Sequence, residues 1–178
     1  MASPISAGQQ ILANIHQFDV AAFYWCLRRK HRQLFIQGSY WVSKSADGPL
    51  YALFGLLLLL QGSNQFFVLL AAGFVVERGL YYILKNYFKR NRPPAALPNF
   101  KSEVQPSDQF SFPSGHTSAA FLMAAMLSSF YPALTPLLYI WAVMVGSSRV
   151  MLGVHFPTDI VAGATLGHGI AFLILSYL

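Results

Sequence analysis

The sequence has little charge and very little acid. Of its 178 residues 10% are Asp, Glu, Lys or Arg and 55% are hydrophobic, whereas an average soluble domain carries about 25% charged residues. That balance argues against a water-soluble globule. A single cysteine, Cys26, excludes an internal disulfide and any metal site built from several thiolates. The opening stretch MASPISAGQQILANIHQFD is polar and mixed, without the basic start and short apolar core of a signal peptide, so mature spans are expected to hold the chain in a membrane. No repeat with a period of roughly 20 to 50 residues and no low-complexity tract is present. Six acidic residues against twelve Lys and Arg leave a net charge of +6, but the cations are gathered in a few places between long apolar stretches. That distribution is a poor match to a nucleic-acid surface, and no nucleic-acid partner is expected.

Apolar runs dominate what is there. A bilayer crossing needs about 20 mainly apolar helical residues, and five candidates emerge. The first ends in the run Leu50 to Leu60 and must reach back towards Trp41, which brings in Lys44 and Asp47. The others are Phe66 to Leu84, Thr117 to Tyr131, Leu137 to Ser148 and Asp159 to Leu178, with Pro132 and Pro136 marking a tight turn between the third and fourth. The expectation is an all-α, polytopic membrane helix bundle of about five or six transmembrane helices. Residues 1–40 would form an N-terminal interfacial segment and residues 41–178 the membrane domain. In the N-terminal part Ile11, Leu12, Ile15 and Phe18 fall at helical spacing, and Trp25 precedes the basic cluster Arg28, Arg29, Lys30, His31 and Arg32. An amphipathic helix lying at the lipid headgroups fits this pattern, and so does a solvated basic connector. His16 and His31 read as interface residues.

Three polar clusters interrupt the apolar pattern. The segment KNYFKRNRP places Lys85, Lys89 and Arg92 on one face if the helix continues, because positions i, i+4 and i+7 align; such a face would hold an anion. Downstream, Pro93, Pro94, Pro98 and Pro106 forbid a continuous helix and suggest a rim or lid up to Phe112. Pro113, Ser114, Gly115 and His116 stand immediately before an apolar helix, where free backbone N–H groups can cradle a phosphate, although a serine N-cap accounts for part of the pattern. Ser148, Arg149, His155 and Asp159 form the third cluster. If a helix starts near Pro157, Asp159 can accept the imidazole N–H of His155 and leave its other nitrogen free as nucleophile or base. Parity of the spans returns all three clusters to the same side of the membrane.

These motifs together resemble the type 2 phosphatidic acid phosphatase (PAP2) family, and within it bacterial membrane lipid phosphatases of the phosphatidylglycerophosphatase B and undecaprenyl pyrophosphate phosphatase kind. The family signature is KxxxxxxRP, PSGH and SRxxxxxHxxxD. Lys85 to Pro93, Pro113 to His116 and Ser148 to Asp159 match it without a departure. By that resemblance His155 would take the phosphoryl group as a phosphohistidine, with Asp159 orienting it. His116 would protonate the leaving oxygen and later activate water. Lys85, Arg92, Ser114, Gly115 and Arg149 would hold the phosphoryl oxygens. Phosphoryl transfer asks mainly for position and positive charge, and three fixed cations supply the charge, so no metal and no cofactor is expected and activity should survive a chelator.

The expected partners are the bilayer and a membrane lipid phosphate: phosphatidate, phosphatidylglycerol phosphate, a polyprenyl pyrophosphate such as the undecaprenyl carrier, or phosphorylated lipid A. A non-catalytic lipid-binding or lipid-transporting protein is the alternative; vanadate-dependent haloperoxidases share similar motifs but are larger and soluble. Outside the motifs, His168 reads as a packing histidine. Gly163 and Gly167 form a small face for close helix approach, and Glu77 with Arg78 reads as a buried pair, the other option being a place in the site wall. Sidedness is contested. The resemblance implies an active site on the outer face of a bacterial plasma membrane, whereas the Arg28 to Arg32 cluster predicts the cytoplasmic face, unless a further crossing lies between Asp19 and Val42. The acyl or prenyl preference and the oligomeric state are not legible.

Overall fold

A computed structural model describes residues 7–28 and 32–177. Arg29, Lys30 and His31 of the basic cluster lie outside the described residues, as does the side chain of Leu12. The regular elements of the described chain are all helical: α1 (Ala7–Leu27), α2 (Arg32–Lys44), α3 (Gly48–Leu60), α4 (Asn64–Phe88), the short α5 (Pro93–Ala96), α6 (Gly115–Phe130), a 3-10 turn (Pro132–Leu134), α7 (Thr135–Met151) and α8 (Pro157–Leu175), with a long loop between α5 and α6. Among the described residues no strand forms, and one isolated bridge pairs Asn91 with Phe110.

The centre of the bundle is α6. Ten of its sixteen residues are buried, including Ala119, Ala120, Leu122, Ala124 and Met126, and it packs most extensively against α8 and α7. A helix apolar all round belongs in the interior. The small-residue face expected on α8 makes the closest approach. A Cβ on Gly163 would stand 2.6 Å from the Ser114 carbonyl oxygen, and one on Gly167 would stand 2.0 Å from that of Ser118. Only hydrogen fits there. The outward faces of α4, α7 and α8 carry exposed Val68, Val75, Ile140, Val143, Val161 and Phe172, an apolar surface suited to lipid.

Helices α4, α8 and α7 with its leading 3-10 turn are long and apolar enough to cross a membrane. The first candidate span is not one helix. The chain breaks at Ser45–Asp47 between α2 and α3, because Pro49 fixes a helix start and has no N–H to continue α2. The 13 residues of α3 reach about 20 Å at 1.5 Å per residue, short of a bilayer core. The break is held by the Trp141 indole donating to Ser45 Oγ at 2.9 Å.

The N-terminal helix has two working faces. Ile11, Ile15, Phe18 and Trp25 are exposed, while Asp19 and Phe23 are fully buried. Phe23 packs edge-on to Phe100 and beside Phe156, the residue before α8. Among the described residues no helix long and apolar enough for the extra crossing lies between Asp19 and Val42. Asp19 reaches Arg90 and Thr158, Arg32 pairs with Glu103 at 2.6 Å, and Ser43 reaches Arg149, all on the side of the three polar clusters.

Candidate active site

The three clusters converge on one cavity of about 430 Å³. Its apolar half lies between α3 and α4, lined by Tyr51, Ala52 and Gly55 against Phe67, Leu70, Ala71 and Phe74. Its polar end is lined by Arg78, Arg92, Asp108, Gly115, His116, Arg149 and His155. A ligand with an apolar tail and an anionic head fits that division.

His155 sits in the short connection from α7 to α8 and is 2% exposed. Its Nε2 lies 3.1 Å from Arg92 Nη1. A guanidinium has only donors, so Nε2 must be the unprotonated acceptor and Nδ1 carries the hydrogen. Nδ1 points to Asp159 Oδ2 at 3.5 Å, longer than a regular hydrogen bond and within reach of one after a small closure. Burial pushes the His155 imidazole down from its ordinary value to about 4, with Arg92 and Arg149 pushing the same way and Asp159 opposing. The ring is therefore neutral, with a lone pair aimed among cations.

Asp159 is fully buried in the first turn of α8. Its Oδ2 accepts the Phe156 N–H at 2.8 Å and its Oδ1 accepts from Arg90 at 2.8 Å. The serine of the second cluster ties the two helix starts together, since its N–H donates to the Asp159 carbonyl at 3.0 Å. Ser114 is itself fully buried, its Oγ accepting from Thr117 at 2.8 Å. It stands behind the cavity wall, and Gly115 forms the wall.

The helix does not carry Lys85, Lys89 and Arg92 on one face. It ends at Phe88, Lys89 turns into the left-handed region at φ 45° and is exposed, and Arg92 is extended ahead of Pro93. The loop instead unites Lys85 and Arg92 through Asp108, whose Oδ1 accepts from Lys85 at 2.7 Å and from Arg92 at 2.5 Å. The Tyr81 hydroxyl donates to Oδ2 at 2.6 Å. Burial alone would raise the Asp108 carboxyl, but these hydrogen bonds outweigh it and hold it well below the usual carboxylate range. A carboxylate thus stands among the cations. Arg149 donates to Ser43 at 2.6 Å, while its buried Nε has no partner among the described residues. An unsatisfied guanidinium N–H at a cavity wall suits an incoming anion.

The second histidine also has a carboxylate. His116 Nε2 lies 3.0 Å from Asp47 Oδ1, in the turn between α2 and α3. Burial would raise the Asp47 carboxyl, but its bonds with His116 and Lys44 prevail and hold it below its ordinary value. Glu77 and Arg78 do pair, at 2.5 and 2.6 Å, but only Glu77 is buried; Arg78 is about half exposed and also lines the cavity, so both options hold. His168 lies elsewhere, roughly 16 Å along α8 from Pro157 at 1.5 Å per residue, hydrogen-bonded to Tyr139 at 2.8 Å. Among the described residues no three His, Cys, Asp or Glu side chains cluster as metal ligands.

Residues 61–178 match the family model described as the PAP2 superfamily. The chain belongs to the PAP2 superfamily. It is 33% identical over 139 residues to phosphatidylglycerophosphatase B of Bacillus subtilis, covering 68% of this chain and 66% of that protein. It is 35% identical over 120 residues to an undecaprenyl-diphosphatase of Sulfolobus acidocaldarius, covering 66% and 58%. The chain spans between about half and two thirds of the length of the curated relatives it matches. Among solved structures, the transmembrane PAP2 type phosphatidylglycerolphosphate phosphatase of Bacillus subtilis superposes with a TM-score of 0.75 at 26% identity, over 92% of this chain and 86% of that one. With its long apolar helices, this PAP2 chain is an integral membrane protein. The PAP2 match begins after α3 and so leaves out α1, α2, Asp19 and Asp47.

Proposed function

We propose that this PAP2 chain is a membrane lipid phosphatase that removes a terminal phosphate through a phosphohistidine on His155, without a metal ion. The observation that carries the reading is the placing of the His155 ring, with Nε2 3.1 Å from Arg92 Nη1 and Nδ1 3.5 Å from Asp159 Oδ2. In the first step Nε2 attacks the terminal phosphorus, the bond to the leaving oxygen breaks, and His116 gives that oxygen a proton. In the second step His116 takes a proton from water, the hydroxide attacks the phosphohistidine, the P–N bond breaks, and inorganic phosphate leaves. Arg92 and Arg149, with Lys85 behind them and the Gly115 N–H at the α6 start, supply the positive field that three phosphoryl oxygens need. The substrate phosphate takes over the cation contacts that Asp108 makes.

Two of the relatives are named for phosphatidylglycerol phosphate and undecaprenyl diphosphate. These are the first substrates to try, and phosphatidate and phosphorylated lipid A complete the panel. The experiment is phosphate release by the purified chain in detergent, with and without EDTA. We expect release that persists in chelator and falls by roughly 10⁴-fold or more in His155→Ala. Release untouched by His155→Ala overturns the mechanism and favours the reading of a lipid-binding protein.

The resemblance favours the outer face of a bacterial plasma membrane for the site, and Arg32 is engaged by Glu103 rather than free to act as a topology signal. Labelling of Cys26 with an impermeant thiol reagent on intact cells tests this, because α1 lies on the side of the site. Labelling only after the membrane is opened contradicts it.

A further inference from the structure

The N-terminal helix reaches the proposed nucleophile through a chain of charges. Asp19, the single charged residue of the 21-residue α1, is fully buried. Its Oδ1 accepts the Thr158 backbone N–H at 2.9 Å. Its Oδ2 accepts from Arg90 Nη2 at 2.5 Å and from the Thr158 hydroxyl. The other terminal nitrogen of Arg90 donates to Asp159 Oδ1 at 2.8 Å and to Thr158 Oγ1 at 2.7 Å. The Arg90 guanidinium carbon also stands 4.7 Å from the centre of the Phe156 ring. Two buried carboxylates therefore share one guanidinium, and the second of them faces His155 Nδ1.

We infer that Asp19 is a positioning residue for phosphoryl transfer: through Arg90 and Thr158 it sets the place and the charge of Asp159, and so the aim of His155. Both parts follow from the contacts. Thr158 belongs to the first turn of α8, where backbone N–H groups lack helical partners; by accepting one, Asp19 pins the turn that carries Asp159. Arg90 alone with Asp159 would make a neutral pair. With Asp19 present the three groups hold a net charge of −1, which balances the positive imidazole ring formed when Nε2 bonds to phosphorus. A buried charge with fixed partners acts more strongly than one in water.

The inference rests on the proposed roles of His155 and Asp159, and a double-mutant cycle separates the two. The full chain in detergent is assayed for phosphate release from undecaprenyl diphosphate. Asp159→Asn should lower kcat by at least about a hundredfold, since it removes the negative charge behind the ring and replaces one of two accepting oxygens with a donor. Asp19→Asn should lower kcat by about tenfold or more with KM within about twofold, and in the Asp159→Asn background it should change kcat by less than about twofold. Thr158→Val keeps every charge and removes the hydroxyl bridge. It covers the case in which Asp19→Asn does not fold, and it should lower kcat by about three- to tenfold and be silent with Asp159→Asn. An intact kcat in Asp159→Asn overturns the proposed mechanism and this inference with it. Loss in Asp159→Asn with none in Asp19→Asn or Thr158→Val, or losses that multiply in the double variants, overturns this inference alone.

Discussion

At the scale of single residues, the chemistry is set by what faces each ring nitrogen. Arg92 can only donate, so the His155 lone pair must face it, and burial keeps that ring neutral far into acid. The imidazole, ordinarily half-protonated at 6.5, is pushed down to about 4. As pH falls, the proposed nucleophile is therefore expected to be lost near 4 instead of near neutrality. The acid limb of kcat/KM, corrected for the second ionisation of a phosphate monoester near about 6, should lie near 4; a limb at 6 to 7 would mean an exposed, ordinary histidine. Asp108 gives the second prediction. It stays ionised at every working pH and occupies two cations, so Asp108→Asn should free them. Inhibition by vanadate or inorganic phosphate should tighten by about tenfold, the equivalent of one charge-assisted hydrogen bond. An unchanged or weaker inhibition constant means that Asp108 orders the cations without competing for them.

At the scale of helices, the site depends on how closely α6 and α8 approach. Both carry site residues at their N-terminal ends, and Gly163 and Gly167 set their separation. A Cβ on Gly167 would collide with the Ser118 backbone carbonyl at 2.0 Å, which a side-chain rotation cannot relieve. Gly167→Ala should destabilise by about 1–3 kcal/mol and lower both the thermal midpoint in detergent and phosphate release. An unchanged midpoint would show that the helices can part without cost. This contact was legible in the sequence, as were the ranges of α4, α6, α7 and α8 and the convergence of the three motifs. Those features come from local pattern: apolar runs, prolines, and motif residues at helix ends. The carboxylates Asp19, Asp47 and Asp108 were not legible as partners of Arg90, of His116 and of Lys85 with Arg92, because those contacts join residues 16 to 71 positions apart in the chain. Arg90 was hidden for a related reason. The left-handed turn at Lys89 rotates the phase that a continuous helix would have kept, so Arg90 turns inward and Lys89 outward. One signal was present. A lone acid in an otherwise uncharged helix, on the face that is buried, has to find a partner, and Asp19 is that acid.

At the scale of the whole molecule, an apolar outer surface, an apolar half-cavity between α3 and α4, and a cationic end come together in a single shape. The break between α2 and α3 at Ser45–Asp47 is part of it, since it brings Asp47 to His116 and opens the wall beside Tyr51. A substrate that fills both halves should be favoured over its headgroup alone. kcat/KM for phosphatidylglycerol phosphate should exceed that for the soluble glycerol phosphate by about a hundredfold or more, as burying several methylene groups at about 0.8 kcal/mol each requires. Equal values would mean that the apolar half takes no part. The central claim, a phosphoryl group passed through His155, is tested most directly by the stereochemical course at phosphorus. The purified chain would be given a lipid thiophosphate made chiral with oxygen isotopes at its terminal phosphorus. Two successive in-line displacements predict retention of configuration in the released thiophosphate. Inversion would mean a single direct attack by water, and no phosphohistidine.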